Sequence, residues 1–326
     1  MTNMEKIRLC QEIVDQIQAE SQRPVCRLHL SREPFAVADS HLGGVPYVPR
    51  NGQIPVDDDG NQLWLCAQIN FAQMPPVKGF PTEGILQFFL SDFDRDGGFG
   101  IYSSEGGIAQ GDWRTAFYPT VDASVTEGEC LAKMAVPWEE ASKEHMPRPA
   151  HKFDLRDIEE GHTFLWRCPD RPLKMSFLPV EQEGVNHEDY RFDILFAAAL
   201  KARFPEEDPE EFMPYKLDAG TPEEREARAK VWTQIERGGC KTGGYPRYYQ
   251  DDPRLYSEEH GIPLEEWDIL LFQLDDDPFT YPAGKIGEEL GEMDVPLNGG
   301  TMNFLIRPED LEKRDFSRVL AQWACT

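Results

Sequence analysis

A Gly-Gly-apolar-Pro turn at Gly43-Gly44-Val45-Pro46 recurs as Gly243-Gly244-Tyr245-Pro246, and each copy is followed by the same strand patterns in the same order. Leu65-Cys66-Ala67-Gln68-Ile69-Asn70 aligns with Leu270-Leu271-Phe272-Gln273-Leu274-Asp275, and Gly84-Ile85-Leu86-Gln87-Phe88-Phe89-Leu90 aligns with Gly300-Thr301-Met302-Asn303-Phe304-Leu305-Ile306. The chain therefore reads as an internal duplication over approximately 41–100 and 241–310. Two copies of one β-patterned unit point to a pseudo-symmetric sheet, because each copy has the same apolar rows to bury. A proline fixes its own φ and biases the residue before it toward extended geometry, so the reversal falls on the glycines, which reach positive φ without steric cost. Gly44 and Gly244 are expected there.

The rest of the pattern supplies a body and a periphery. Met4, Ile7, Cys10, Ile13, Val14 and Ile17 recur at helical spacing, which predicts an amphipathic helix ending before Pro24, followed by a strand and loop over 25–40. Strict alternation puts Leu63, Leu65, Ala67, Ile69 and Phe71 on one face of a strand and Trp64, Cys66, Gln68 and Asn70 on the other; Ile269, Leu271, Gln273 and Asp275 form the equivalent row in copy two. Both faces are mostly apolar, as in a strand covered on both sides. Phe164–Cys168 and Leu173–Leu178 read as further short strands, Pro205–Glu211 as a solvated loop or short helix, and Pro222–Trp232 and Pro308–Gln322 as helices. No Gly/Ser-rich or Pro-rich linker divides the copies. The expectation is one domain over 1–326: mainly β (α+β), a roll-like antiparallel body of two pseudo-symmetric halves, with helices at the N-terminus, before the second copy and at the C-terminus.

Composition narrows the function classes. Asp plus Glu number 59 against 33 Lys plus Arg, a formal net charge of -26. Such a chain repels phosphate backbones and attracts cations or basic proteins, so no nucleic-acid partner is expected. The seven cysteines are widely spaced, odd in number and never arranged as C-x-x-C, which fits a reducing cytoplasm better than a disulfide framework or a zinc site. No stretch approaches the roughly 20 apolar residues of a membrane span.

Motifs for chemistry are mostly missing. There is no H-E-x-x-H, G-x-S-x-G or P-loop pattern, so no cofactor, metal or catalytic residue is assigned. Asp57-Asp58-Asp59-Gly60-Asn61 fails the EF-hand register because positions six and twelve would be Gln62 and Gln68. Two constellations remain. Gln68 and Gln273, with Asn70 and Asp275 at the matching strand ends, either tie each Gly-Gly turn to the sheet or face a shared crevice and read a polar ligand. Tyr245, Tyr248, Tyr249, Gln250, Asp252 and Arg254 form a polar, aromatic loop of the kind enriched at interaction surfaces, or one that simply packs on itself.

These segments, from Gly43–Pro46 and Ala67–Asn70 through Gly243–Arg254 and Leu271–Asp275 to Gly299–Ile306, Asp310-Leu311 and Phe316-Ser317, resemble the YwqG-like family of bacterial proteins, a domain of unknown function, across essentially the whole chain. The resemblance implies a mainly β, roll-like fold with peripheral helices and no particular activity. One departure is Glu292-Met293-Asp294-Val295-Pro296, where the family pattern has a tryptophan-acidic-glycine stretch. The function expected is a non-catalytic cytoplasmic binding module for a basic protein partner or small polar ligand, with Gln68, Asn70, Gln273, Asp275, Tyr245, Tyr248 and Arg254 as candidate contacts. The alternative is an enzyme using paired carboxylates from Asp92, Asp94, Asp275 or Asp276.

Overall fold

The computed structural model describes residues 1–58, 60–90, 103–104, 107–108, 113–135, 172–275 and 300–325. Helix α1 (Asn3–Glu20) opens on a capping box, in which the Thr2 hydroxyl accepts the Glu5 N–H and the Glu5 carboxylate accepts the Thr2 N–H. The strands follow as β1 (Arg23–Ser31), β2 (His41–Leu42), β3 (Trp64–Asn70), β4 (Ile85–Leu90), the small hairpin β5 (Ser103–Ser104) and β6 (Gly107–Ile108), and β7 (Trp113–Tyr118). After helix α2 (Glu127–Leu131) come β8 (Leu173–Phe177), β9 (Glu181–Glu183), α3 (Arg191–Arg203) and α4 (Pro222–Ile235). The chain ends with β10 (Lys241–Gly243), α5 (Ser257–His260), β11 (Ile269–Asp275), β12 (Gly300–Ile306), α6 (Pro308–Lys313) and β13 (Leu320–Cys325).

Eleven of these strands form one antiparallel sheet in the order β13-β12-β11-β10-β1-β8-β2-β3-β4-β7, with β9 beside β1. The order reads the same from either end: a four-strand meander, β10 to β13 or β2-β3-β4-β7, flanks a central pair. Its two edges meet in a nearly closed barrel, where Trp113 Nε1 donates to the Val319 carbonyl at 3.2 Å and Thr115 Oγ1 to the Phe316 carbonyl at 2.5 Å. Inside, Phe88 lies 4.5 Å from its counterpart Phe304 and 5.5 Å from Phe272, centroid to centroid. Outside the second half, α1, α3 and α4 bury a separate apolar layer that includes Ile13, Phe196, Val231 and Tyr245. Among the described residues, no helix is long and apolar enough to cross a membrane.

The pairing corrects the sequence reading in two places. Register slips between Leu65 and Ala67 and at the equivalent point between Leu270 and Phe272, a β-bulge in each copy. The extra residue breaks the alternation, so Leu65, paired with Phe89, shares a face with Gln68, paired with Gln87; Leu270 rather than Leu271 accompanies Gln273. The C-terminal helix is also far shorter than Pro308–Gln322. It stops at Lys313 because Arg314 takes φ 59, and Leu320–Cys325 pairs instead with β12 as the barrel's last strand. Helix α3 had no counterpart in the sequence reading, while Pro209–Phe212 forms a short 3-10 turn. Phe164–Cys168 and the Glu292–Pro296 departure lie outside the described residues.

Candidate functional site

The two Gly-Gly turns are held by matched sets of bonds. Gly43, Gly44, Gly243 and Gly244 have φ of 60, 77, 78 and 69°, the left-handed region that Val45-Pro46 and Tyr245-Pro246 cannot supply. In copy one, Gln68 Oε1 accepts the Tyr47 N–H at 2.9 Å while its Nε2 donates to the carbonyls of Val37 and Asp39; Gln87 Nε2 donates to the Tyr47 carbonyl at 2.7 Å. In copy two, Gln273 Oε1 accepts the Arg247 N–H at 2.7 Å and its Nε2 donates to Gly239, while Asn303 Nδ2 donates to the Arg247 carbonyl at 2.8 Å. Each amide clamps the residue after the turn's proline against the outer face of its own meander. Among the described residues no partner is shared between Gln68 and Gln273, and both side chains are fully buried.

The frame is repeated, but its charge is not. His41 in β2 is replaced by Lys241 in β10, Tyr47 by Arg247, and Asn70 by Asp275. Even the acceptor for the next loop amide changes: the Val48 N–H meets Cys130 Sγ at 3.3 Å, whereas the Tyr248 N–H meets Glu188 Oε2 at 2.6 Å. Copy one is held by neutral groups, and burial pushes its His41 imidazole down to about 4, so it stays uncharged. Copy two carries ions.

These ions gather as three neighbouring ion-pair groups, buried or half-buried, around Glu183, Arg247 and Asp189. Glu183 Oε1 accepts from Lys241 Nζ at 2.7 Å and from the Tyr245 N–H at 3.0 Å, and its other oxygen pairs with Arg27 at 2.6 Å. Burial pulls the Lys241 ammonium downward while Glu183 opposes this. Arg254 is bidentate on Asp252, at 2.9 and 2.6 Å, and reaches Asp189 at 2.7 Å. Burial alone would raise the Asp189 carboxyl, but the hydrogen bonds of Arg191 and the charges of Arg254 and Arg191 hold it at about 2. Asp275 accepts the Gly239 N–H at 2.7 Å and stands 3.6 Å from Arg247. Glu188 differs: burial lifts it to about 7, against the pull of Arg247 and the Tyr248 N–H, and its side chain keeps 17% exposure. Arg247 is stacked over the Tyr249 ring at 4.5 Å and stands 3.8 Å from Glu188.

A family model described as Domain of unknown function (DUF1963) matches residues 40–325. The chain belongs to that family. Comparison with curated proteins finds no match. The matched span takes in both copies of the DUF1963 frame and leaves α1 and β1 outside it.

Of the residues singled out in the sequence, Gln273, Asp275, Tyr245, Tyr248 and Arg254 converge on the second-copy cluster, while Gln68 and Asn70 sit in the first meander. Asn70 donates to the Ala38 carbonyl and caps the turn after β3 through the Ala72 N–H. The Tyr245 hydroxyl donates to the Ser21 carbonyl at 2.7 Å, beneath Arg23. Asp92, Asp94 and Asp276 lie outside the described residues. Sequence reasoning missed Glu183, Glu188, Asp189, Lys241 and Arg247. The available signal was Lys241 inside a buried strand, since a lysine there requires a buried anion. Among the described residues no group of three or more His, Cys, Asp or Glu side chains is arranged to hold a metal ion.

Proposed function

We propose that this DUF1963 protein is a non-catalytic binding module whose second-copy loop and acidic exterior engage a basic protein. The supporting observation is the anchoring of that loop. Asp252 and Arg254 are locked into the buried cluster, whereas Gln250 and Asp251 before them and Leu255 after them are exposed, Leu255 by 58%. A tip fixed by buried ion pairs meets a partner with little ordering cost. Six cations (Arg23, Arg27, Arg191, Lys241, Arg247, Arg254) face eight carboxyl groups there, Glu183, Glu188, Asp189, Asp252, Asp268 and Asp275 with the more exposed Glu181 and Glu236 at the edge. Most of the net charge of -26 is therefore carried by the rest of the chain.

In this reading Tyr245, Tyr248, Gln273 and Asp275 act by holding the loop, and Gln68 and Asn70 do the same for copy one. The finer assignment we propose is a bacterial, YwqG-like, cytoplasmic protein. The sequence carriers support the first two, and Cys10, Cys26, Cys66, Cys130 and Cys240, all free, support a reducing compartment. The test is capture of a partner from an extract of the source cells, with wild type and Leu255→Asp immobilised in parallel. A cationic protein retained at low salt, eluted by rising salt and lost with Leu255→Asp is expected. Recovery of nothing at low salt, or retention indifferent to salt, refutes the reading. A second reading, an acid-base enzyme, draws on Glu188, whose displacement to about 7 is of the kind seen at catalytic carboxyls; a bell-shaped pH-rate profile that collapses in Glu188→Gln would favour it.

A further inference from the structure

Three arginines converge on one carboxylate beside Asp189. Arg23 Nη2 donates to Asp268 Oδ2 at 2.8 Å, its Nη1 donates to Oδ1 at 3.2 Å, and Arg191 Nη1 donates to Oδ1 as well. Arg254 Nη1 stands 3.7 Å from that same oxygen, beyond hydrogen-bond reach. The Arg254 side chain is fully buried, and among the described residues its Nη1 has no hydrogen-bond acceptor. The guanidiniums are held in place before anything else binds. Arg23 and Arg191 pack on the Tyr245 ring at 4.5 and 5.1 Å, and Arg191 and Arg254 on the Tyr190 ring at 5.2 and 4.9 Å. Behind them Asp189 accepts from Arg191 and Arg254, and Asp252 from Arg254. Those two carboxylates are wholly buried, whereas the Asp268 side chain is 28% exposed. The repeated frame does not require an acid there: the copy-one counterpart of Asp268 is Leu63, packed with Leu65 and Phe89.

We infer that Arg23, Arg191 and Arg254 form an oxyanion site that takes a phosphate group, with Asp268 as a built-in occupant that the ligand displaces. The donors outnumber what a planar carboxylate can meet. Oδ1 is shared by Arg23 and Arg191, and the inward-facing Arg254 Nη1 is left over. A phosphate directs its oxygens tetrahedrally, so in the same place it reaches the third guanidinium while keeping the forked contacts of the other two. Fixing the arginines on tyrosine rings and on Asp189 and Asp252 lowers the ordering cost of binding. With Asp268 turned out to solvent, the three arginines face only those two carboxylates, a local excess of positive charge. The first N–H groups at the start of α3, those of Tyr190 and Arg191, are already taken by Asp252 and Asp189, so side chains alone hold the anion. The chain's charge of -26 opposes any anion, so a bare phosphate binds weakly.

Titration of the wild-type protein with inorganic phosphate, followed by calorimetry and by the urea midpoint, should show saturable binding that chloride at matched ionic strength does not reproduce. Asp268→Ala should bind at least about tenfold more tightly, because an occupant that closes the site lowers the apparent affinity by the fraction of molecules left open. Asp268→Asn, which keeps the size of the side chain without its charge, gives the same reading should the alanine variant fail to fold. Arg23→Gln, at the half-exposed rim, should weaken phosphate binding at least about tenfold in either background. Glycerol phosphate separates two sources of the group: tighter binding of the ester assigns the site to a phosphomonoester, and equal or weaker binding assigns it to the free ion. No protein partner enters these measurements, so their outcome is independent of the basic-partner reading. Wild type indifferent to phosphate, equal affinity with and without the Asp268 carboxylate, or binding that survives Arg23→Gln would each overturn the proposal.

Discussion

Replacing Glu188 by Gln removes a carboxyl in the second-copy cluster that burial lifts to about 7. Its ordinary value is 4.5, and each pH unit of displacement corresponds to about 1.36 kcal/mol, so the ionised group costs the folded state about 3 kcal/mol at and above neutrality. The sign follows from linkage. A carboxyl raised on folding favours the folded state fully below about pH 4.5, and that advantage is lost as pH rises through about 7. Glutamine keeps the acceptor for the Tyr248 N–H but does not titrate. Glu188→Gln should therefore match the wild type near pH 4.5 and exceed it by up to about 3 kcal/mol at pH 8. Two histidines act oppositely: burial lowers His41 to about 4 and also lowers His187, so their contribution is present above about 6.5 and lost as pH falls. The measurement is consequently the difference between the two proteins in urea denaturation across pH 4.5–8, in which the histidines largely cancel. A difference independent of pH, or one that favours the wild type as pH rises, refutes the placement of Glu188 as a buried carboxyl squeezed between Arg247 and Asp275.

The turn and its clamp yield further expectations, all read from denaturation midpoints. Gly44→Ala and Gly244→Ala each incur the ~1–2 kcal/mol of a left-handed non-glycine residue. The added Cβ would also lie 2.8 Å from Pro172 Cβ or 2.6 Å from Glu183 Oε1, so a loss under 0.5 kcal/mol in either would show that the turn relaxes. Gln68→Leu strands the Tyr47 N–H, the carbonyls of Val37 and Asp39 and the Gln87 amide, while Gln273→Leu strands only the Arg247 N–H and the Gly239 carbonyl among its described partners. At about 1–3 kcal/mol for each stranded group, the first should be the more damaging, and the reverse order would be evidence against the matched clamps. Lys241→Met, which leaves Glu183 with Arg27 as its only cation beside the Tyr245 N–H, should cost up to about 3–5 kcal/mol, and Lys241→Met combined with Glu183→Gln clearly less.

Much of the fold was legible because it is written twice. The repeated order of Gly-Gly turn, glutamine strand and partner strand pointed to the meander, and the prolines after the glycines located the left-handed residues. What strict alternation could not convey was the bulge at Cys66 and Leu271, since one inserted residue reverses which side chains accompany the glutamine. Leu320–Cys325 was absorbed into a helix because a short apolar run has no period of its own; pairing with β12 decides it. The second-copy cluster was only half visible. Arg254 and Asp252 stand close in sequence, but Glu183, Glu188 and Asp189 reach Lys241, Arg247 and Arg254 from some sixty residues away, and only the layering of α3 and β9 over the second meander brings them together.

The repeated glutamine is a clamp on the residue after each Gly-Gly-x-Pro turn, in a neutral frame in copy one and an ionic frame in copy two. Native-state hydrogen exchange at the amides of Tyr47 and Arg247 tests this, because neither N–H belongs to a strand ladder and each donates to a buried glutamine side-chain oxygen. Both are predicted to exchange as slowly as the amides of β3 and β11, and to become fast in Gln68→Leu and Gln273→Leu respectively. Exchange of either amide at the rate of an open loop in the wild-type protein would contradict the claim.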